Sequence, residues 1–307
     1  MMIFQHVALI GLGLIGSSIA HACKAHGAAG RVTGYARSAE TRATAARLGF
    51  CDVFETAGEA VAGADCVILC VPVGACGSVM AEIAPHIAQG AVISDVGSVK
   101  QDLIAAMAPH VPENAHFIPG HPMAGTEHSG PEAGFAALFQ NRWVILTPLP
   151  GGAVEKVDQL VAFWQAIGAK TTLMTPEHHD LVVAVTSHVP HAIAYTMVGV
   201  ADDMRRVTDR EVVEFSAAGF RDFTRIAASD PTMWRDVFLN NKEATLDVLG
   251  RFTEELMTVQ SAIRRGDGDF LFDYFTRTRA IRRGIIDAGQ DTEAPDFGRI
   301  AADKPRP

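Results

Sequence analysis

The stretch Gly120-His121-Pro122-Met123-Ala124-Gly125-Thr126-Glu127 places one titratable imidazole in a Gly/Pro-rich loop, downstream of a complete dinucleotide fingerprint, Gly11-x-Gly13-x-x-Gly16. An alcohol that gives a hydride to a nicotinamide must also lose a proton. Histidine, whose unperturbed pKa lies near neutrality, is the usual group to take it. The pairing points to alcohol dehydrogenase chemistry with His121 as the base. Capping the loop is the other use such a histidine has.

The fingerprint follows an apolar strand and opens a helix, the context in which it binds a dinucleotide. Gly11 permits the tight turn, Gly13 lets the backbone approach the pyrophosphate, and Gly16 lets the helix pack on the strand. Leu14 and Ile15 complete the cofactor turn, and Val71-Pro72 borders the same cofactor from the end of a later strand. The ribose 2′ position is read at the end of the second strand, where an NAD enzyme usually carries Asp or Glu. Here the residues are Ala36-Arg37-Ser38, a cation and a hydroxyl able to hold a 2′-phosphate, so NADP is slightly favoured over NAD. Stacking on adenine is the alternative role for Arg37. The turn Asp95–Lys100 ends another strand at the sheet's carboxyl edge, where ligands lie. Within it Ser98 makes a capping box with Gln101 and is also a catalytic candidate. No metal is called for.

These residues need a frame. Strand patterns at 6–10, 31–35, 65–71, 91–95, 117–119 and 143–147 alternate with helical ones, which predicts a parallel, doubly wound Rossmann-type α/β sheet. A helix at 154–167 and a strand at 170–174 are expected to extend that sheet. From Pro176 onward the patterns are helical: 176–203, 209–216, 231–264 and 268–287, with Asp230-Pro231 as a helix start. The expected organisation is a dinucleotide-binding domain over 1–174, an all-α substrate and dimerisation domain over 175–290, and a flexible tail over 291–307. Helices 181–200 and 244–263 are apolar around most of their circumference, more than so small a domain can bury alone, so a homodimer is expected.

The net charge of −9 argues against nucleic acid or an anionic membrane as a partner. The cysteines, Cys23, Cys51, Cys66, Cys70 and Cys76, contain no Cys-x-x-Cys and read as free thiols in a reducing cytoplasm. The apolar run 7–20 lacks a basic leader and is interrupted by the fingerprint glycines. The apolar run 181–200 is flanked by Asp180 and Asp202, which favours a buried helix over a membrane span.

Four further segments complete the picture. They are Asp95–Lys100, His121–Gly130, Thr186-Ser187-His188-Val189-Pro190-His191, and Gly219-Phe220-Arg221-Asp222-Phe223-Thr224-Arg225 running on to Ser229–Asp236. With the fingerprint they resemble the prephenate/arogenate (cyclohexadienyl) dehydrogenases of tyrosine biosynthesis, in the family's order and over the chain to about residue 287. The resemblance implies oxidative decarboxylation: hydride leaves ring carbon C4, the ring carboxylate leaves as CO2, and a phenol forms. It implies that His121 takes the C4 hydroxyl proton, that Arg225 clamps a substrate carboxylate, and that His191 and Ser187 line the pocket. Thr126, Glu127, Asp180, Asp222 and Trp234 match positions that gate or organise the site, while His188 reads as structural and Arg221 as an ion-pair partner for an acid. The family's usual acid is absent at Ala36, which leaves the cofactor choice open but not the reaction.

Two rival readings are weaker. A β-hydroxyacid dehydrogenase needs a lysine on the first long helix, and 176–203 has none. A dinucleotide sensor without turnover would need neither His121 nor Arg225.

Overall fold

The computed structural model describes residues 1–126, 128–205 and 217–285, so the expected helix at 209–216, the tail from 291 and Glu127 lie outside the described residues. The chain divides into two compact units, Met1–Thr245 and Leu246–Pro307. The first is built on a six-stranded sheet. Its strands are β1 (Phe4–Ile10), β2 (Ala29–Tyr35), β3 (Asp52–Val53), β4 (Cys66–Leu69), β5 (Val92–Asp95) and β6 (His116–Phe117). They lie in the order β3-β2-β1-β4-β5-β6, every pair parallel. The central strands are buried on both faces, which is why β4 reads as the unbroken apolar run Cys-Val-Ile-Leu.

Alternation along those strands creates two cores, one per face. Val7, Leu9, Cys66 and Ile68 join one core with α1 (Leu14–His26) and the later helix α6 (Val154–Ala166), where Phe163 and Trp164 are fully buried. Ala8, Ile10, Val67 and Leu69 join the other, with α2 (Ala39–Leu48) outside it and α3 (Ala57–Val61), α4 (Cys76–Ile83) and α5 (Gln101–Met107) packed into it. The five cysteines are free, as expected, and burial pushes the Cys23, Cys51 and Cys76 thiols up to about 12. They are inert packing residues.

The expected extension of this sheet is corrected. Residues β7 (Gly120–Pro122), β8 (Trp143–Leu146) and β9 (Lys170–Leu173) form a separate three-stranded sheet. In it β7 is antiparallel to β8, and β8 is parallel to β9. The chain leaves β6 after two residues, and Pro119 and Pro122, which lack the N–H a central strand must donate, bracket the change of sheet. His121 pairs with Ile145 in this sheet, so the catalytic candidate stands on a short strand and not in a loop. That gives it a fixed backbone.

Helices α7 (Pro176–Val183) and α8 (Val189–Arg205) run on as one rod through a π-helical turn at Ala184–His188. Pro190, which has no N–H to donate, follows this π turn by two residues. Thr175 caps α7 by accepting from the His178 N–H. The rod Pro176–Met204 is long and apolar enough in composition to cross a membrane, but a single chain buries only 28% of its most apolar window. Within one copy this helix is only part buried: Val185, Met197, Val198, Val200 and Met204 are exposed.

Helix α9 (Ala218–Thr224) leads through a 3-10 turn, Arg225–Ala228, to α10 (Pro231–Asn240), where Asp230 accepts from the Met233 N–H as the expected N-cap. The helix expected over 231–264 is broken at Asn241, after which α11 (Lys242–Arg265) begins. Asn241 leaves helical geometry (φ −119, ψ 43) and is buried, with its Nδ2 donating to the Asp180 carbonyl at 2.9 Å. In the second unit α11 turns at Gly266 (φ +67) into α12 (Gly268–Ile285), with Asp267 accepting from the Phe270 N–H. Phe252, Leu256, Met257, Phe272 and Phe275 are exposed there.

Candidate active site

The fingerprint turn is built as its glycines require. Gly11 has φ +108, and a Cβ on it would lie 2.3 Å from the Cys70 carbonyl oxygen; one on Gly16 would lie 2.0 Å from the Gly11 oxygen. A Cβ on Gly13 would meet nothing within 4 Å. The first and third glycines are thus forced by the protein itself, and the second faces open space of the kind a pyrophosphate would fill. Gly13 is the N-cap of α1 and offers no side-chain cap, so the first N–H groups of that helix remain for an anion. Leu14 is buried and Ile15 half-buried behind the turn, and half-buried Val71 with exposed Pro72 follows β4 across from it.

Substitution separates the two roles. Gly13→Ala should leave Tm nearly unchanged yet weaken dinucleotide binding by about tenfold or more, ~1.4 kcal/mol. Gly11→Ala should lower Tm outright. Equal losses of stability in both variants, read by thermal melts and cofactor titration, would contradict this division.

At the end of β2, Ala36 is buried while Arg37 and Ser38 are exposed. Ser38 caps α2 by accepting from the Thr41 N–H at 3.3 Å. Arg42 braces the turn from below: its Nη1 donates to the Ala36 and Arg37 carbonyls at 2.9 and 3.0 Å, its Nη2 bonds Glu55 at 2.8 Å, and its guanidinium lies over the Tyr35 ring. The residues present can hold a dinucleotide, and no acid stands at the 2′ end of the strand.

The turn after β5 is organised by a buried ion pair. Lys100 and Asp95 are both fully buried and joined directly, and Lys100 Nζ also donates to the Gly120 carbonyl at 2.7 Å. Asp95 accepts in turn from the Gly97 and Gly120 N–H groups at 2.8 and 3.1 Å. The pair therefore clamps β5 to the strand bearing His121. Removing one partner would strand the other charge in the core, at a cost of about 3–5 kcal/mol.

The capping box expected from Ser98 is absent: the N-cap of α5 is Lys100, without a side-chain bond. Asp180, on α7, takes that role from outside the segment. Its carboxylate accepts from the Lys100 and Gln101 N–H groups at 2.8 and 2.9 Å. Ser98 is half-buried beside this cap, and its backbone faces His188.

His121 is buried on β7, and its Nδ1 lies 2.8 Å from His179 Nε2. His179 Nδ1 in turn lies 2.8 Å from Asp180 Oδ1. Burial, then the charges of His179, Lys100 and His188, hold the His121 pKa well below its ordinary 6.5. It is neutral at physiological pH. Burial would raise the Asp180 carboxyl, but the bonds from His179 and the two backbone N–H groups prevail and lower it.

The remaining candidates gather around the π turn. His191 donates from Nδ1 to the Ser187 carbonyl at 2.8 Å and stacks on the Trp234 ring, centroids 3.6 Å apart. Ser187 is half-buried, and Trp234 is buried. His188 is fully buried, bonded to Asn241 at 3.0 Å and edge-on to Trp234, with its pKa lowered to about 4, mainly by burial. Arg225 is exposed, on the 3-10 turn packed against α8, and its charge lowers the His191 pKa behind the effect of burial. His188 is likewise felt by His121, and His191 by His188. The influence is pairwise: Arg225 bears on His191, His191 on His188, and His188 on His121. Thr126, half-buried, accepts from the His128 N–H at 3.1 Å, and Arg221 and Asp222 are exposed on α9. Among the described residues no cluster could hold a metal ion.

The sequence reading did not single out His179, Lys100 or Asn241. His179 sits in His178-His179-Asp180 at a helix start, where a His-Asp pair passes for first-turn polarity. Only the pairing of α7 with β7 reveals its use.

His6, His21, His121, His179, His188 and His191 all have lowered pKa values, with burial the first cause in each. Unfolded, each binds a proton as pH falls through about 6.5, while the folded chain resists until lower pH. The unfolded state then carries more protons, so stability is full above that value and lost below it. Melting temperature should be flat above about pH 7 and fall steadily below about 6.5. A constant Tm down to pH 5 would contradict the buried, neutral assignment.

A parallel sheet with an open fingerprint turn, and a buried neutral histidine on the strand beyond its carboxyl edge, define a nicotinamide dinucleotide-dependent dehydrogenase. Residues 19–173 match the family described as prephenate dehydrogenase, nucleotide-binding domain, and residues 175–277 match prephenate dehydrogenase, dimerization domain. The chain belongs to the prephenate dehydrogenase family. It is 42% identical to a cyclohexadienyl dehydrogenase of Zymomonas mobilis, over 93% of this chain and 97% of that one. It is 36% identical to a prephenate dehydrogenase of Bacillus subtilis, over 91% of this chain and 76% of the relative. The prephenate dehydrogenase of A. aeolicus, solved with hydroxyphenyl propionate and NAD+, superposes with a TM-score of 0.85 at 31% identity, covering 92% and 98% of the two chains.

Proposed function

We propose that this chain oxidatively decarboxylates prephenate, arogenate or both, giving 4-hydroxyphenylpyruvate or tyrosine. The dinucleotide, when bound, supplies the hydride acceptor. Gly11, Gly13, Gly16, Leu14 and Ile15 seat its pyrophosphate, and Val71 and Pro72 border it. Ala36, Arg37 and Ser38 read the ribose, and with no acid there NADP is accepted at least as well as NAD. His121 holds the substrate's C4 hydroxyl and takes its proton, helped by Ser98 in the adjoining turn. Arg225 holds a substrate carboxylate, with His191, Ser187, Thr126, Glu127 and Trp234 shaping the pocket.

The observation that carries this reading is His121, buried on β7 beside His179 and kept uncharged, with Arg225 on the turn packed against α8, where its charge bears on His191. A base must be deprotonated, and a carboxylate needs a fixed cation. The domain division at 174/175 belongs to the same reading. So do a cytoplasmic location and a homodimer, the latter supported by the exposed apolar residues of α8 and, separately, of α11 and α12.

Initial rates with prephenate and arogenate, each with NAD and NADP, test the proposal at the reduced-nicotinamide absorbance band. Turnover of at least one substrate is expected, with NADP at least matching NAD. No turnover of either substrate would refute the reaction, and strict NAD use would refute the role of Arg37 and Ser38.

A further inference from the structure

Donor and acceptor roles along His121, His179 and Asp180 are not free. The Asp180 carboxylate already accepts two backbone N–H groups and can only accept again, so His179 must donate to it from Nδ1. A neutral His179 then has a lone pair at Nε2, which faces His121 Nδ1 at 2.8 Å. His121 must therefore carry its proton on Nδ1, leaving the lone pair on Nε2.

We propose that His179, anchored by Asp180, is a positioning residue that fixes His121 as the tautomer basic at Nε2 and steadies the proton it receives. This rests on reading His121 as the base. The substrate hydroxyl proton passes to His121 Nε2 as the carbon–hydrogen electron pair leaves with the hydride, so the ring becomes an imidazolium holding both protons. Its Nδ1 proton is then shared with His179 Nε2, and the added positive charge lies along a line ending at the Asp180 carboxylate. The pair is sealed from solvent: His179 and Asp180 are 0% and 1% exposed. Burial keeps His179 neutral in the resting state, against the opposing pull of Asp180. The charged and titratable groups bearing on the pair are Lys100 and Asp95 from the turn after β5, His188 from the π turn, and Asp180 itself. The design is that of a hydrolase triad with a second imidazole in place of the serine. Its anchor is unusual in doing two jobs, since the same carboxylate caps α5.

The test begins with the unaltered enzyme. Nitrogen and carbon shifts of histidine-labelled protein, with His121 assigned by its loss in His121→Asn, should show the Nδ1–H form at neutral pH. The Nε2–H form would overturn the proposal whatever the activity. His179→Phe preserves the ring's bulk and removes both nitrogens. It should lower kcat by about 10- to 100-fold with KM within about twofold, and shift the acid limb of the kcat–pH profile. A kcat within twofold of wild type, with the acid limb unmoved, would make His179 a packing residue and overturn the proposal. Nδ1–H on His121 combined with a normal kcat in His121→Asn would refute the base assignment and leave the tautomer assignment standing, so the two failures are distinguishable.

Discussion

Replacing His121 with Asn is expected to reduce kcat by about a hundred- to ten-thousandfold while KM stays within about threefold. The substitution is a clean one. An asparagine amide sits close to the place of imidazole Nδ1 and can still donate to His179, so the buried pairing survives. What disappears is Nε2, the atom left to accept the hydroxyl proton. The enzyme would then bind substrate in the same pocket, with no group positioned to take the proton as the hydride departs. Steady-state rates across pH, with circular dichroism to establish folding, measure the effect. An unchanged kcat would remove His121 from the chemistry and leave it a strand residue that braces α7.

Arg225→Gln is expected to act on the other parameter. A carboxylate clamp contributes binding held equally in the ground and transition states, so KM should rise and kcat should change little. Losing one half of a desolvated, hydrogen-bonded charge pair costs about 2–5 kcal/mol. Arg225 is exposed, which favours the lower figure, about 2 kcal/mol or roughly 30-fold in KM. Arg225→Lys should recover only part of this, because an ammonium cannot make the two-pronged contact. A normal KM in Arg225→Gln would reassign the clamp, with Arg221 one turn earlier on α9 the next candidate.

Local signals in the chain carried most of the fold. The glycine spacing at 11, 13 and 16, the apolar runs of β1, β4 and β5, and Asp230-Pro231 at the start of α10 each act over a few residues, so each could be read in place. The misreadings involve long-range partners. The run at 143–147 is a strand in either sheet by its pattern; only its antiparallel pairing with Gly120–Pro122 puts it in the second. Ser98 has the spacing of a capping residue, yet a carboxylate 80 residues away in sequence caps α5. The helix over 231–264 looks continuous because Asn241 is tolerable in a helix; in the fold it leaves helical geometry where its side chain reaches the Asp180 carbonyl, 61 residues away in sequence. His121 could be picked from its loop-like surroundings, but the histidine behind it could not. Nothing in the spacing between residues 121 and 179 announces a contact.

The central claim is that a neutral ring nitrogen and a guanidinium grip one substrate beside the nicotinamide. A crystal structure of the enzyme with dinucleotide and hydroxyphenyl propionate tests it most directly. The phenol oxygen is expected within about 2.6–3.2 Å of His121 Nε2, with His121 Nδ1 still on His179 and the ligand's carboxylate on the Arg225 guanidinium. A ligand seated by the nicotinamide but out of reach of both side chains would contradict the account.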